Sequence, residues 1–303
     1  MSLDIDAVNP KKISGFSWRG IGLIAAGGVL FACMGAMAKA ASPTIPTFEL
    51  VFFRSLITLI VVDLLRRRSR VALAFADRPV LFSRSFAGFI GIAAYFYALK
   101  YIPLGDAVLL NNASPVLTSL GAVWLLGEHL TPTKITAMIA SMAGVWLLVA
   151  GHTGDLESRG ALIGALSAVA SAWALVSLKF ATRRNRSLIV VWSLAATCMI
   201  GSLCMWRPDW SLPNARESVL LVGTGVAAAM AQLLMTMGYR LLEASTAAIY
   251  SYMNPVFAVV MSALVFGDKP TYSTWLGGAL IIGAGAGVAV IHGRSHHAHL
   301  HHH

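Results

Sequence analysis

Two prolines set deep inside apolar runs, Pro115 and Pro255, carry the sharpest chemical signal in the sequence. A proline inside a helix removes one amide donor and pushes away the carbonyl four residues earlier, and here those carbonyls belong to Asn111 and Ser251. Polar side chains crowd the same turns: Asn111, Asn112 and Ser114 at the first proline, Tyr250, Ser251, Tyr252 and Asn254 at the second. Backbone groups freed in lipid must face protein or a water-lined cavity. Two readings follow. Either the kinks pack against neighbours with the Asn side chains bonding across helices, or they line a substrate cavity, which their paired placement near the middle of two runs favours. The candidate substrate-binding residues are therefore Asn111, Asn112, Ser251, Asn254 and Tyr250. Tyr95 and Trp173 add ring faces for an apolar side chain, and Gln232, one turn before Thr236, adds a polar stripe.

Charges embedded in apolar runs form the second group. Each costs roughly 2.5–3.5 kcal/mol at a helix centre on insertion scales, so each asks for a partner or a purpose. Arg54 could pair with Glu49 or meet a substrate carboxylate, and Asp63 and Arg84 could form an inter-helix pair or an inner gate. Lys39 and Lys179 lie near run ends, where snorkelling competes with gating.

Other chemistries lack their residues. The sequence has no G-x-x-x-x-G-K-[ST] phosphate loop, so no ATPase partner or activity is implied, and no H-E-x-x-H, G-x-S-x-G or C-x-x-C motif. Gly283, Gly285 and Gly287 imitate part of a dinucleotide loop but sit in an apolar run, where close packing or a dimer face explains them better. Cys198 and Cys204 lie about 9 Å apart along one helix, too far to bridge. No cofactor and no metal site is expected.

These residues need elements to position them, and composition says which. Charged residues make up 12% of the 303 and apolar residues 57%, against about 25% and 45–50% in soluble domains. So few polar side chains cannot clothe a soluble enzyme, and a formal charge of +10 without a soluble basic face is no nucleic-acid binder. Apolar runs of spanning length number ten: 20–41, 46–65, 79–99, 104–126, 132–150, 160–181, 187–206, 216–239, 244–266 and 272–292. The fold class is thus all-α and polytopic. Basic residues divide 14 to 5 between the two sides, which by the positive-inside rule places both termini in the cytoplasm. Lys11, Lys12 and Arg19 before the first run imitate a signal peptide, but the run is long and has a counterpart later in the chain.

That counterpart belongs to an internal repeat. Slid by 140 residues, the sequence superposes Arg19 on Arg159, Lys39 on Lys179, Pro115 on Pro255, Gly127 on Gly267 and Thr131 on Thr271. Each half holds five spans, an odd number, so the second enters the membrane from the opposite side. Inverted repeats of this kind build alternating-access transporters with the site near the midplane between halves.

Spans four and five read NNASPVLTSLGAVWLLGEHLTPTKITAMIASMAGVWLL, and nine and ten SYMNPVFAVVMSALVFGDKPTYSTWLGGALIIGAGAGVAV. With YALKYIPLGDA before span four and FFRSL in span two, these resemble the EamA-type repeat of the drug/metabolite transporter superfamily. The resemblance implies a ten-helix exporter with a first repeat at 19–150 and a second, inverted repeat at 159–292; segment 1–18 is then the cytoplasmic N-terminal segment, and 293–303, with six of the nine His, is read from its composition as an added tag. Among its branches the aromatic amino acid exporters are the nearest, given many aromatics and few carboxylates in the spans. The expected function is export of amino acids, aromatic ones included, across the inner membrane, by a monomer or homodimer that is not an enzyme. Other metabolites, drugs or nucleotide sugars are the alternative, and an enzyme on lipid-linked substrates the remote one.

Overall fold

The computed structural model describes residues 18–114, 116–118, 132–208, 210, 212–241, 251, 253–284 and 287. Pro115, Tyr250, Tyr252 and Trp124 lie outside them, as do the His-rich tail and the side chain of Lys179. The described chain is helical without strands. Its helices are α1 (Trp18–Ala41), α2 (Thr47–Arg68), α3 (Arg78–Tyr101), α4 (Leu104–Asn111), α5 (Pro132–Ala150), α6 (Asp155–Arg184), α7 (Ser187–Cys204), α8 (Ala215–Leu241), α9 (Met253–Phe266) and α10 (272–284).

Local chemistry sets the ends of these helices. Pro46 and Pro103 immediately precede α2 and α4, and Pro79 occupies the first turn of α3, where a missing amide proton costs nothing. Asn214 and Glu217 cap α8 reciprocally: the Glu217 amide donates to Asn214 Oδ1 at 2.9 Å and the Asn214 amide to Glu217 Oε2 at 2.8 Å. Thr271 and Thr274 exchange the same kind of bonds, both 3.2 Å, before α10. Gly267, at φ +68°, turns the chain after α9 in a conformation that glycine adopts without a side-chain clash.

Among the described residues, α1, α3, α6, α7 and α8 are long and apolar enough to cross a membrane. The 22-residue α2 is long enough but carries Glu49, Arg54 and Asp63. Large apolar side chains face outward on the long helices, among them Ile60, Phe82, Leu166, Ile200 and Val219. The interior is rich in small residues instead, including Ala32, Ala98, Ala168, Ala228 and Ala231. An apolar exterior around a small-residue interior is the pattern of a membrane bundle, in which close packing rather than hydrophobic burial holds helices together.

Packing follows the repeat. The most extensive pairs are α1 with α8 and α3 with α6, which are mates under the 140-residue offset. The pairs α1–α9 and α4–α6, and α2–α8 and α3–α7, are mates as well, while α2–α7 and α4–α9 each map onto themselves. The correspondence extends to residues. A Cβ on Gly27 would lie 3.4 Å from the Ala231 carbonyl, and its mate contact brings Gly91 to 3.6 Å from the Ser167 carbonyl. Likewise Gly238 abuts Ile24, and the mate contact sets Gly164 against Ala98. Each helix of one half thus packs mainly on the other half, so the repeats interleave.

Of the glycines expected to serve close packing or a dimer face, Gly283 and Gly287 make no close packing contact among the described residues, since a Cβ on either would meet nothing within 4 Å. The close approach of α5 and α10 falls earlier, at Gly144 and Gly277, where a Cβ on either would come within 2.8 Å of the other's carbonyl oxygen.

Candidate functional site

A cavity of about 200 Å³ lies between the halves, lined by residues of α1, α2, α3, α4, α6, α7, α8 and the approach to α9. Helix α4 ends at Asn111 and passes through a turn at residues 112–113 before helix resumes. The break falls one turn before Pro115, where a proline would disrupt the ladder, and it leaves Asn111, Asn112 and Ser114 on the cavity wall. From the other half, Ser251, Asn254, Gln232 and Thr236 reach the same wall. Pro255 itself is buried near the start of α9.

The polar groups differ in how they are engaged. The Asn111 amide nitrogen donates to Ser167 Oγ at 2.9 Å and Ser171 Oγ at 3.0 Å, tying α4 to α6. Asn112 donates to the Val108 carbonyl at 2.8 Å, and the Thr236 hydroxyl to the Gln232 carbonyl at 2.7 Å, so each satisfies its own helix. Asn254 Oδ1 is buried and accepts no hydrogen bond. Phe31, Ile92, Tyr95, Phe96 and Leu194 supply apolar wall.

Two cations complete the lining. Arg54 of α2 and Arg84 of α3 are only 3% and 7% exposed, and the Nε of each has no hydrogen-bond partner. Both lie within electrostatic reach of the buried Cys198 thiol on α7. The Arg54 guanidinium sits 5.8 Å from the centre of the Phe96 ring, a cation–π contact that offsets part of its desolvation. No carboxylate occurs among the described lining residues.

The pairs anticipated for these arginines are not made. Asp63 instead accepts from Arg66 at 2.7 Å and Arg67 at 2.6 Å on its own helix, because it precedes a basic run by three and four residues. Glu49 is buried near the start of α2, and the ion pairs of the described residues do not join it to Arg54. Trp173 also departs from expectation. It is 47% exposed on the outer surface of α6, its indole nitrogen donates to Ser83 Oγ at 2.9 Å, and it does not line the cavity. Lys39 neither lines the cavity nor extends into solvent: its ammonium donates to the Ile102 carbonyl at 2.7 Å, beside Asp106 and Asp268. Asp106 contacts His152 at 3.3 Å, and Asp268 accepts from Ser262 at 2.6 Å. This polar network joins α1, α3, α4 and the connections after α5 and α9 at one end of the bundle. It went unread in the sequence because its partners come from five segments.

Among the described residues no group of His, Cys, Asp and Glu could hold a metal ion.

Known proteins resemble this chain along most of its length. The model of the EamA-like transporter family matches residues 18–150 and again 158–290. A pseudopaline exporter, CntI of Pseudomonas aeruginosa PAO1, is 32% identical over 254 residues, covering 83% of this chain and 89% of that protein. A riboflavin transporter of Vibrio cholerae is 28% identical over 66% of this chain and 67% of its own length. An S-adenosylmethionine uptake transporter of Rickettsia prowazekii is 24% identical over 82% and 84%. A crystal structure, 24% identical in sequence, superposes with a TM-score of 0.66 over 92% of this chain and 99% of its own, which supports the fold. None of these three transporters is named for aromatic amino acids, so the comparisons support the family and membrane transport without the branch.

Proposed function

This chain belongs to the EamA-like transporter family, and from that premise we propose that it exports amino acids and small metabolites built from them, aromatic ones included. The observation that carries this reading is the cavity between the interleaved halves. It offers cationic donors in Arg54 and Arg84, an unsatisfied amide acceptor in Asn254, and aromatic wall in Phe31, Tyr95 and Phe96. Those are the complements of a carboxylate, an amine and an apolar side chain. Substrate enters from the cytoplasm, is held between the halves, and leaves outward as they rock around the site.

The orientation proposed is inner membrane with both termini cytoplasmic. At one end of the bundle the segment before α3 meets the α6–α7 connection, where Asn185 donates to the Ala76 carbonyl at 2.9 Å and accepts from its amide at 3.0 Å. Arg66, Arg67, Arg68, Arg70, Arg78, Arg184 and Arg186 are carried by the same segments. Residues at the opposite end, where Thr44 lies near Glu217, are poorer in basic side chains. The basic end is the cytoplasmic one.

Counterflow in proteoliposomes tests the substrate class. Liposomes loaded with single amino acids should accumulate labelled phenylalanine above protein-free controls, and Ser251→Ala and Asn254→Ala should weaken it. A folded protein that exchanges no amino acid would refute the reading. A second reading, other metabolites, is favoured by the relatives named for riboflavin and S-adenosylmethionine, and those compounds belong in the same panel.

A further inference from the structure

We propose that Arg54 and Arg84 form a two-point anion site and that the preferred substrate is a net-anionic, amino-acid-type molecule bearing two carboxylates. This rests on the transporter reading above and narrows it.

Charge balance carries the argument. A bundle interior tolerates ionised side chains when they are paired or serve a ligand. The described ion pairs leave both arginines out, and the described cavity lining holds no carboxylate to compensate either of them. Arginine is the side chain least able to escape by deprotonating, so the protein alone brings two positive charges to the cavity. A zwitterion such as phenylalanine would add one negative and one positive charge and leave the site as cationic as before. A molecule with two carboxylates and one amine neutralises one charge, and one with two carboxylates alone neutralises both. Arginine also matches carboxylates geometrically, since its planar fork donates two parallel hydrogen bonds.

Position brings both cations to one cavity. The two residues come from different helices, α2 and α3, and both guanidiniums reach the vicinity of Cys198 on α7. Asn254, whose Oδ1 is unsatisfied, borders the cavity from the second half, with its backbone and Cβ against Gly28 of α1. A donor on the substrate, such as an amine, satisfies that oxygen. Aromatic wall at Tyr95 and Phe96 then accommodates a ring attached to the same molecule.

The test uses the full chain, with phenylalanine, glutamate and γ-glutamylphenylalanine as probes, read by ligand-induced thermal stabilisation in detergent and by counterflow in proteoliposomes. The dicarboxylates should bind at least about tenfold more tightly than phenylalanine, as expected for one extra charge-assisted pair. Arg54→Gln and Arg84→Gln should each abolish most of that preference, weakening the dicarboxylates by a larger factor than phenylalanine. Arg54→Lys and Arg84→Lys, which keep the charge but lose the fork, should retain the preference at reduced affinity. Without ligand, the Gln variants should unfold at the same or a higher temperature, because each removes an uncompensated buried charge. A marked loss of apo stability would show a structural role and overturn the proposal. Equal binding of phenylalanine and the dicarboxylates, or a preference unchanged in the Gln variants, would overturn the anion site while leaving the amino acid carrier standing. Counterflow of none of the three by folded protein would overturn both.

Discussion

Asn111 commits one amide nitrogen to two serines of the opposite repeat, Ser167 and Ser171. The two readings of this residue in the sequence, interhelical glue or cavity wall, are therefore not exclusive: its nitrogen bonds across helices while the residue borders the cavity. Asn111→Ala should cost about 0.6 kcal/mol of stability, with about 1.7 as an upper range, as such bonds do in membrane bundles. Reversible unfolding in mixed micelles would measure it, and no change would mean the two serines re-pair. Trp173 gives the converse case. Because its ring faces outward, Trp173→Leu should leave counterflow KM unchanged and lower only thermal stability, through loss of the bond to Ser83. A raised KM for aromatic substrates would return this ring to the binding site. The sequence placed it at the right depth, but depth along a helix does not fix which side of the helix a residue occupies.

At the scale of helices, the contact between α1 and α8 decides how closely the halves approach. A Cβ on Gly238 would lie 2.5 Å from Ile24 Cγ1 and 3.2 Å from the Gly20 carbonyl. Gly238→Ala should destabilise the bundle by about 1–3 kcal/mol, the usual cost of overpacking. Adding Ile24→Ala should recover part of it, since it removes the side-chain atoms that the new Cβ would meet. Thermal unfolding of the single and double variants checks this, and a double variant no better than the single would show that backbone, not Ile24, sets the limit. The helix ends were partly legible. Prolines at 46, 79, 103 and 132 mark starts, whereas the Asn214–Glu217 cap carries an N-x-x-E signal that a search for apolar runs passes over. The interior of α2 was legible as charged, yet the partners of Arg54 and Asp63 were not, because local spacing competes with inter-helix pairing and only geometry decides between them.

For the whole molecule, the interleaved packing and the division of basic residues yield a topology that labelling can test. In a functional background, Ser69→Cys should react with an impermeant thiol reagent only from the cytoplasmic side and Asn214→Cys only from the opposite side. Reversed labelling would invert the proposed direction of entry. A second expectation concerns the network at the end opposite the basic loops, where Lys39, held on the Ile102 carbonyl beside Asp106 and Asp268, joins segments of both halves. Lys39→Met should slow exchange in counterflow more than it weakens substrate binding, because it removes a contact between moving parts and none to the cavity. An equal loss of binding and exchange would place Lys39 in the site instead.

The sequence by itself determined the class of molecule, the repeat and its inversion, and the polar turns at the two prolines. Composition against lipid, an odd number of spans per half and the chemistry of proline in a helix each depend on residues near one another in the chain. Tertiary structure alone decided which embedded charges face a common space. Arg54 and Arg84 stand 30 positions apart on different helices, and nothing in their spacing shows that both border one cavity without a carboxylate among its described lining. That outcome depends on how each helix is rotated about its axis. Rotation is set by contacts such as Gly27 on Ala231 and Gly91 on Ser167, made between halves that are far apart in sequence.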